Sequence, residues 1–428
     1  MIAAVQVGIY ELESHMHRNW VLLSLGLLAP ACRDAAPTSP AGALIDLPVL
    51  LPVPVRMDLG TFGGPSSYAN DVNSSGTVVG TADDADGLRR AFRWTPLGGM
   101  TDLGTLPGDD WSTAVSVTDD GQVLGVSGLS SVSTARGTQV IWSPDGSITP
   151  LTIPLVPGAT FSVGASDFNA ERVLVGSDAG PTQHAWIWSA ERGKDDITAS
   201  VPGRSREGAS SEIDADGLVV GTGDEVEGCG AFQSRCWHAF LYSYDAGYRS
   251  IGRPAEFPTG HVMGMGLGAG PTVVGSASGR AYRWTESEGF TILPSVSSAY
   301  ATSVNSDGLA VGAAFDPTLP AYQATAWPRS GGAIRLSPDD PNPQVATAVN
   351  EFGIVAGWAA QGNGTNHATV WLVGPVSGAF AQSAALRPTT SAPAVSPMAA
   401  ARAAAVNTCA SDPSALVSRG ALLACQNR

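Results

Sequence analysis

The chain has 428 residues, 43 % of them hydrophobic, which is enough for a folded core and too much for a single small module. Its formal net charge is −15, and of its 23 basic residues only Lys194 is a lysine. A chain this acidic, without a basic run, excludes polyanion binding, because phosphate neutralisation needs clustered positive charge; no nucleic-acid partner is expected.

The N-terminal stretch reads as an export signal. Trp20–Leu28 is an apolar run of nine residues, far short of the ~20 that span a bilayer. With Ala29-Pro30-Ala31 after it, the run matches a signal-peptide core and cleavage site, so residues 1–31 are assigned to a signal peptide. Glu11 and Glu13 stand where a positive segment is needed, whereas a start at Met16 gives Met16-His17-Arg18, which fits. Cys32 follows directly, and the run resembles a bacterial lipoprotein signal in which that cysteine becomes the lipidated first residue. Leu28 lies one position too early for that pattern, and simple cleavage after Ala31 is the competing reading. Any membrane association is expected through this lipid alone. Residues 32–54, rich in Pro and Ala, form a tether.

Five cysteines occur, at 32, 229, 236, 409 and 425. No C-x-x-C is present and the six histidines lack zinc spacing, so no metal site is expected. Cys229 and Cys236 bracket a short loop, and Cys409 and Cys425 bracket the last segment. Close pairs in an exported protein read as local disulfides, with buried free thiols as the alternative.

Between these ends the chain repeats itself. A G-x-V-V-G element recurs at Gly76–Gly80, Gly121–Gly125, Arg172–Gly176, Gly217–Gly221, Pro271–Gly275, Gly308–Gly312 and Gly353–Gly357, with 37 to 54 residues between successive closing glycines. An aromatic anchor ends the next strand of each copy: Trp94, Trp142, Trp188, Tyr242, Trp284, Trp327 and Trp371. Upstream lies an A-x-x-V-N-type strand, as at Ala69–Asn73 and Ala346–Asn350, ending in turn chemistry that makes a tight hairpin. Asp214-Ala215-Asp216-Gly217 has the look of a calcium loop but lacks the required downstream glutamate pattern. The second strand carries adjacent apolar residues, such as Val78-Val79, and must therefore be covered on both faces.

Four short strands per repeat is the period of a β-propeller blade. The seventh copy lacks a clear fourth strand, and a spare one precedes the first copy at Val55–Leu59. The fold expected is all-β: a seven-bladed β-propeller over residues 55–376, sealed by strand 55–59 so that no raw edge is left. Residues 377–397 read as a linker and 398–428 as a short helical hairpin tied by Cys409 and Cys425. The chain is read as a monomer.

His184-Ala185-Trp186, His238-Ala239-Phe240 and His367-Ala368-Thr369, together with Asp102–Leu106, resemble the HAF-repeat proteins, a family of probable extracellular repeat proteins. The resemblance covers about Val55 to Val376, although four copies lack the histidine. It implies export and repetition and carries no agreed activity.

No catalytic arrangement stands out. There is no G-x-S-x-G elbow and no H-E-x-x-H, and Asp195 after Lys194 rules out a phosphate-binding loop; no cofactor is expected. The repeated histidines are expected to make structural hydrogen bonds at strand starts. In an up-and-down blade, the first-to-second and third-to-fourth turns share one face, and these are short here. The long, unequal connections, Gly104–Ser112, Gly125–Thr138, Thr222–Cys236, Gly252–His261 and Ala313–Ala321, share the other, which marks the expected binding face. It would carry Asp109, Asp110, Trp111, Phe232, Arg235, Phe257, Phe315, Asp316 and Tyr322. Aromatics beside polar groups suit a glycan or an envelope or extracellular protein. The function expected is non-catalytic binding, in the periplasm, at the outer membrane or outside the cell. The alternative is an envelope hydrolase or lyase acting on carbohydrate, with its acids at the propeller axis.

Overall fold

A computed structural model describes residues 54–130, 137–200, 207–225, 236–319 and 321–374. These form seven four-stranded antiparallel sheets, a seven-bladed β-propeller. Blade 1 runs Gly63–Val72, Val78–Asp84, Arg89–Thr95 and Gly99–Asp102. The innermost strands of blades 2 to 7 are Trp111–Val117, Phe161–Phe168, Gly208–Ile213, Val262–Gly268, Ala299–Val304 and Gln344–Val349. Blade 7 takes its fourth strand from the start of the ring: Val55–Gly60 lies against Asn366–Leu372 in a register running from Val55↔Leu372 to Gly60↔Ala368. The sealing strand expected from the sequence is thus present. The segments expected to be signal peptide, tether, linker and helical tail, with Cys32, Cys409 and Cys425, lie outside the described residues.

Every innermost strand carries a β-bulge at the same place, and the closing glycine of G-x-V-V-G lies opposite it. In blade 1 the register shifts between Ala69 and Asp71, with Gly80 paired to Ala69. The bulge draws the two backbones together, and a Cβ on Gly80 would lie 2.0 Å from the carbonyl of Tyr68 and 3.0 Å from the Phe92 ring. Only glycine tolerates that approach. Shifts at the equivalent step occur in all six other blades.

The extra residue of the bulge turns its side chain toward the next blade. Asn70 donates to the carbonyl of Ala114 at 2.7 Å. Ser166, Ser211, Thr302 and Thr347 donate to the carbonyls of Ser210, Gly264, Ala346 and Ala69, each at 2.9 Å. Five of the seven joints therefore carry this bond; Val115 and Met265 occupy the position at the other two. Inter-blade hydrogen bonds of this kind satisfy inner-strand carbonyls that antiparallel pairing leaves open.

Apolar side chains fill the space between blades. Val78 and Val79 are both fully buried, Val78 among residues of blades 7 and 1 and Val79 among residues of blades 1 and 2. Neighbours on one strand point to opposite faces, so the double valine serves two interfaces at once. Each such side chain contributes about 1.5–3 kcal/mol by leaving water. The tryptophan anchor is a wedge against the preceding blade: Trp94 packs with Ala348 and Ile354 of blade 7, and Trp371 with Leu336 and Val311 of blade 6.

Candidate functional site

The repeated histidine position couples the third strand of its blade to the fourth. His184 Nδ1 lies 3.0 Å from Asp196 Oδ2, and its Nε2 lies 2.8 Å from Thr182 Oγ1. His367 Nδ1 is 2.8 Å from Asp58 Oδ2 on the sealing strand, which ties the ends of the ring together. Burial pushes the Asp58 carboxyl up, but the hydrogen bond and charge of His367, the N–H of Gly60 and the charge of Arg56 together hold the group below its ordinary value. His238 is 1 % exposed and pairs with the hydroxyl of Tyr248. Burial, reinforced by the nearby charge of Arg253, pushes it down to about 4, so it is neutral at pH 7. Copies without histidine bond elsewhere: Arg280 and Gln323 donate to carbonyls of the connection that follows the fourth strand, Ser295 at 3.2 Å and Asn342 at 3.1 Å, and Arg90 donates to Asp84 of the second strand at 3.0 Å. The position is structural, as expected.

The residues expected on the long-loop face fall into separate patches. On blade 2, Ser127 Oγ donates to Asp109 Oδ2 at 2.6 Å, and Ser130 donates to Asp110 through its backbone N at 2.6 Å and its Oγ at 2.5 Å. Trp111 is partly exposed and lies across Gly128, where a Cβ would meet the indole at 2.5 Å. Between blades 4 and 5, Phe257 is partly buried against the apolar cluster of Ile251 and Val262. Nearby, the Arg253 guanidinium donates to the carbonyl of Gly260 at 3.1 Å. On blade 6, Asp316 accepts from the N–H of Thr318 at 2.9 Å, while the rings of Phe315 and Tyr322 meet at 5.6 Å.

Tyr322 requires a correction. It is 5 % exposed and packs against Tyr300 at 5.6 Å, so it lies beneath the face and not on it. It belongs to an apolar cluster with Met263, Met265, Val345 and Trp358 that runs through blades 5 to 7. Its strand, Tyr322–Trp327, is buried at every position because neighbouring blades cover both of its faces, and the residue at its loop end is covered with the rest. Phe232, Arg235 and Cys229 lie outside the described residues. Cys236 is disulfide-bonded.

Two polar arrangements were invisible in the sequence. The innermost strands carry three carboxylates, and each accepts a backbone N–H from the following blade. Asp71 accepts from Val117 at 2.9 Å, Asp167 from Ile213 at 3.0 Å and Glu212 from Leu267 at 3.0 Å. The Ser116 hydroxyl lies between two of them, 2.9 Å from Asp71 Oδ2 and 2.5 Å from Asp167 Oδ1. Secondly, Lys194 is buried in blade 3. Its Nζ lies 2.5 Å from Asp178 Oδ2, donates to the carbonyl of Pro154 at 2.7 Å and sits 4.1 Å over the Trp186 ring. The side chains of Lys194 and Asp178 are 3 % and 0 % exposed. Burial lowers the Lys194 pKa, and Asp178 opposes that shift. The carboxylate also accepts from Trp186 Nε1 at 3.0 Å and from the N–H of Val156 at 2.8 Å, which fastens the connection between blades 2 and 3.

No protein-family model matches the chain, and no curated protein matches it. Among solved structures it is similar to a virginiamycin B lyase from Staphylococcus aureus, at 10 % identity and a TM-score of 0.47, covering 75 % of this chain and 99 % of that one. It is also similar to TolB from Acinetobacter baumannii, at 14 % identity and a TM-score of 0.36, covering 64 % and 66 %. Dipeptidyl peptidase 4 from Porphyromonas gingivalis aligns at 12 % identity and a TM-score of 0.39, covering 71 % and 50 %. These are distant likenesses of architecture, and no activity follows from them.

Proposed function

We propose that this chain is a non-catalytic binding propeller of the cell envelope or the extracellular space, engaging a glycan or a protein through its long-loop face. The observation that supports this most is the contrast between the two faces. Short hairpins of nearly constant form close one face, while the other carries connections of unequal length with partly exposed Trp111, Phe257 and Phe315. In this reading the chain is exported, is lipidated at Cys32 or cleaved after Ala31, and is a member of the HAF-repeat family. Disulfides join Cys229 to Cys236 and Cys409 to Cys425.

The hydrolase or lyase alternative would need acids at the axis that are available to substrate. The three carboxylates of the innermost strands are instead engaged by backbone N–H groups of the neighbouring blades, which favours binding over catalysis. The test is the double variant Trp111→Ala/Phe257→Ala. Binding to glycan or envelope-protein arrays should be lost while the thermal midpoint falls by only a few degrees. Collapse of the fold would mean that these rings are plugs, and retained binding would move the site elsewhere.

A further inference from the structure

A cavity of about 700 Å³ opens on the opposite face, among the short turns of blades 3 and 4 with the edge of blade 2 behind them. The volume lies within the range of small-ligand sites, about 300–1,000 Å³. Three departures from the repeat converge on it.

The first is Arg172. The turn between the first and second strands places a residue with positive φ in every blade. That residue is glycine in six, Gly76, Gly121, Gly217, Gly270, Gly308 and Gly353, and Arg172, at φ 59°, in blade 3. A side chain in the left-handed region is disfavoured by the clash of its Cβ with the following carbonyl, so a glycine would make the same turn without strain. Arg172 Nε donates to Gln122 Oε1 at 2.7 Å, and its Nη groups make no hydrogen bond among the described residues. The second is Trp188. The five other tryptophan anchors are 0–7 % exposed, whereas Trp188 is partly open to the cavity. The third is Tyr244, held at the wall by the Arg192 guanidinium 4.5 Å above its ring. Backbone strain retained where the repeat offers an unstrained solution is a mark of function.

We infer that this cup is a second binding site, distinct from the long-loop face, for a short neutral or amine-bearing oligosaccharide. Trp188 and Tyr244 offer aromatic surface for the C–H-rich face of a sugar ring. Arg172 and the rim carboxylates offer paired donors and acceptors for vicinal hydroxyls. Glu171, Glu191, Asp216 and Asp245 outnumber Arg172 and Arg192 around the cavity, which discriminates against acidic sugars.

The decisive variant is Arg172→Gly, because strain and function pull it in opposite directions. Calorimetric titrations of the full chain would use cellotriose, maltotriose and a glucosamine trimer, with a hyaluronan tetrasaccharide as the anionic comparison. At least one of the first three should bind and the anionic sugar should not. In Arg172→Gly that binding should weaken about ten-fold, as expected for a lost hydrogen bond to a charged group, while the thermal midpoint stays the same or rises. Tyr244→Ala, at the cavity wall, should weaken it as well, and Trp111→Ala/Phe257→Ala should not. Failure of all three sugars to bind, or unchanged affinity in both Arg172→Gly and Tyr244→Ala, would overturn the site. A fall in the midpoint of Arg172→Gly would show that the arginine is there for stability.

Discussion

The side-chain amide of Asn350 donates to the backbone carbonyl of Asn73 at 2.9 Å, across the joint where the last blade meets the first. Asn73 makes the same bond to Thr118 at 3.0 Å, and Asn305 to Asn350 at 3.0 Å. Each of these asparagines also accepts a backbone N–H of its own hairpin through Oδ1: Thr77 for Asn73, Leu309 for Asn305 and Ile354 for Asn350. One side chain thus shapes a turn and fastens it to the next blade.

The two roles are separable. Asn350→Asp keeps the acceptor that holds the hairpin and removes the donor that crosses the joint, placing a carboxylate against the Asn73 carbonyl. The expected loss is about 1–3 kcal/mol of unfolding free energy, measured by denaturant titration. Equal stability of the variant and the parent would mean that the hairpin alone needs the asparagine.

The ring of bulge hydrogen bonds lacks a member where Val115 stands. Val115→Thr has nearly the same shape and offers the hydroxyl that Thr302 and Thr347 use in their own blades. A gain of about 0.5–1.5 kcal/mol is expected, seen as a higher thermal midpoint. A loss would show that the Ala165 carbonyl is out of reach of this side chain.

His238 sets a pH dependence. Its folded pKa, about 4, lies below the ordinary 6.5, so the unfolded chain binds the proton more readily between those values. Stability is therefore full above pH 6.5, declines as pH falls toward 4, and has lost about 3 kcal/mol from this group below that. His238→Gln, which imitates Gln323 of blade 6, should flatten the pH profile between 4 and 6.5. Asp58, held below 3.8, contributes stability that is present above its ordinary value and is lost only at lower pH. The two groups should separate in an acid titration of the midpoint.

Lys194 is the chain's only lysine, and its ammonium is enclosed. Lys194→Met leaves Asp178 buried without its counter-charge, a change that costs about 3–5 kcal/mol; Lys194→Arg should cost less. Reductive methylation should spare Lys194 in the folded protein and modify it in denaturant, as read by peptide mass spectrometry. Ready methylation of the folded state would contradict its enclosure.

The ring was legible because its signals are local. Glycine pairs mark hairpins, the tryptophan anchor marks a third strand, and the spare strand at Val55–Leu59 matches the one missing after Trp371. The bulges were not legible, since one inserted residue hardly disturbs an alternation only six to ten residues long. The A-x-x-V-N asparagines read as turn formers, while their reach to the next blade depends on the packing of two sheets. Lys194 and Asp178 meet only because both side chains enter the interface between blades 2 and 3. On the long-loop face, residue type and position were visible, but which aromatics are covered depends on the packing of neighbouring blades, as Tyr322 against Tyr300 illustrates. Arg172 was visible as a departure from glycine, without any sign of the cavity beside it.

The most direct test of a binding role is a side-by-side array measurement. The full chain and its Trp111→Ala/Phe257→Ala variant would be applied to glycan and envelope-protein arrays, with thermal midpoints recorded for both. Saturable binding by the parent to one ligand class without turnover, lost in a variant that remains folded, is the expected result. Chemical conversion of a bound glycan, or binding untouched by the two substitutions, would contradict it.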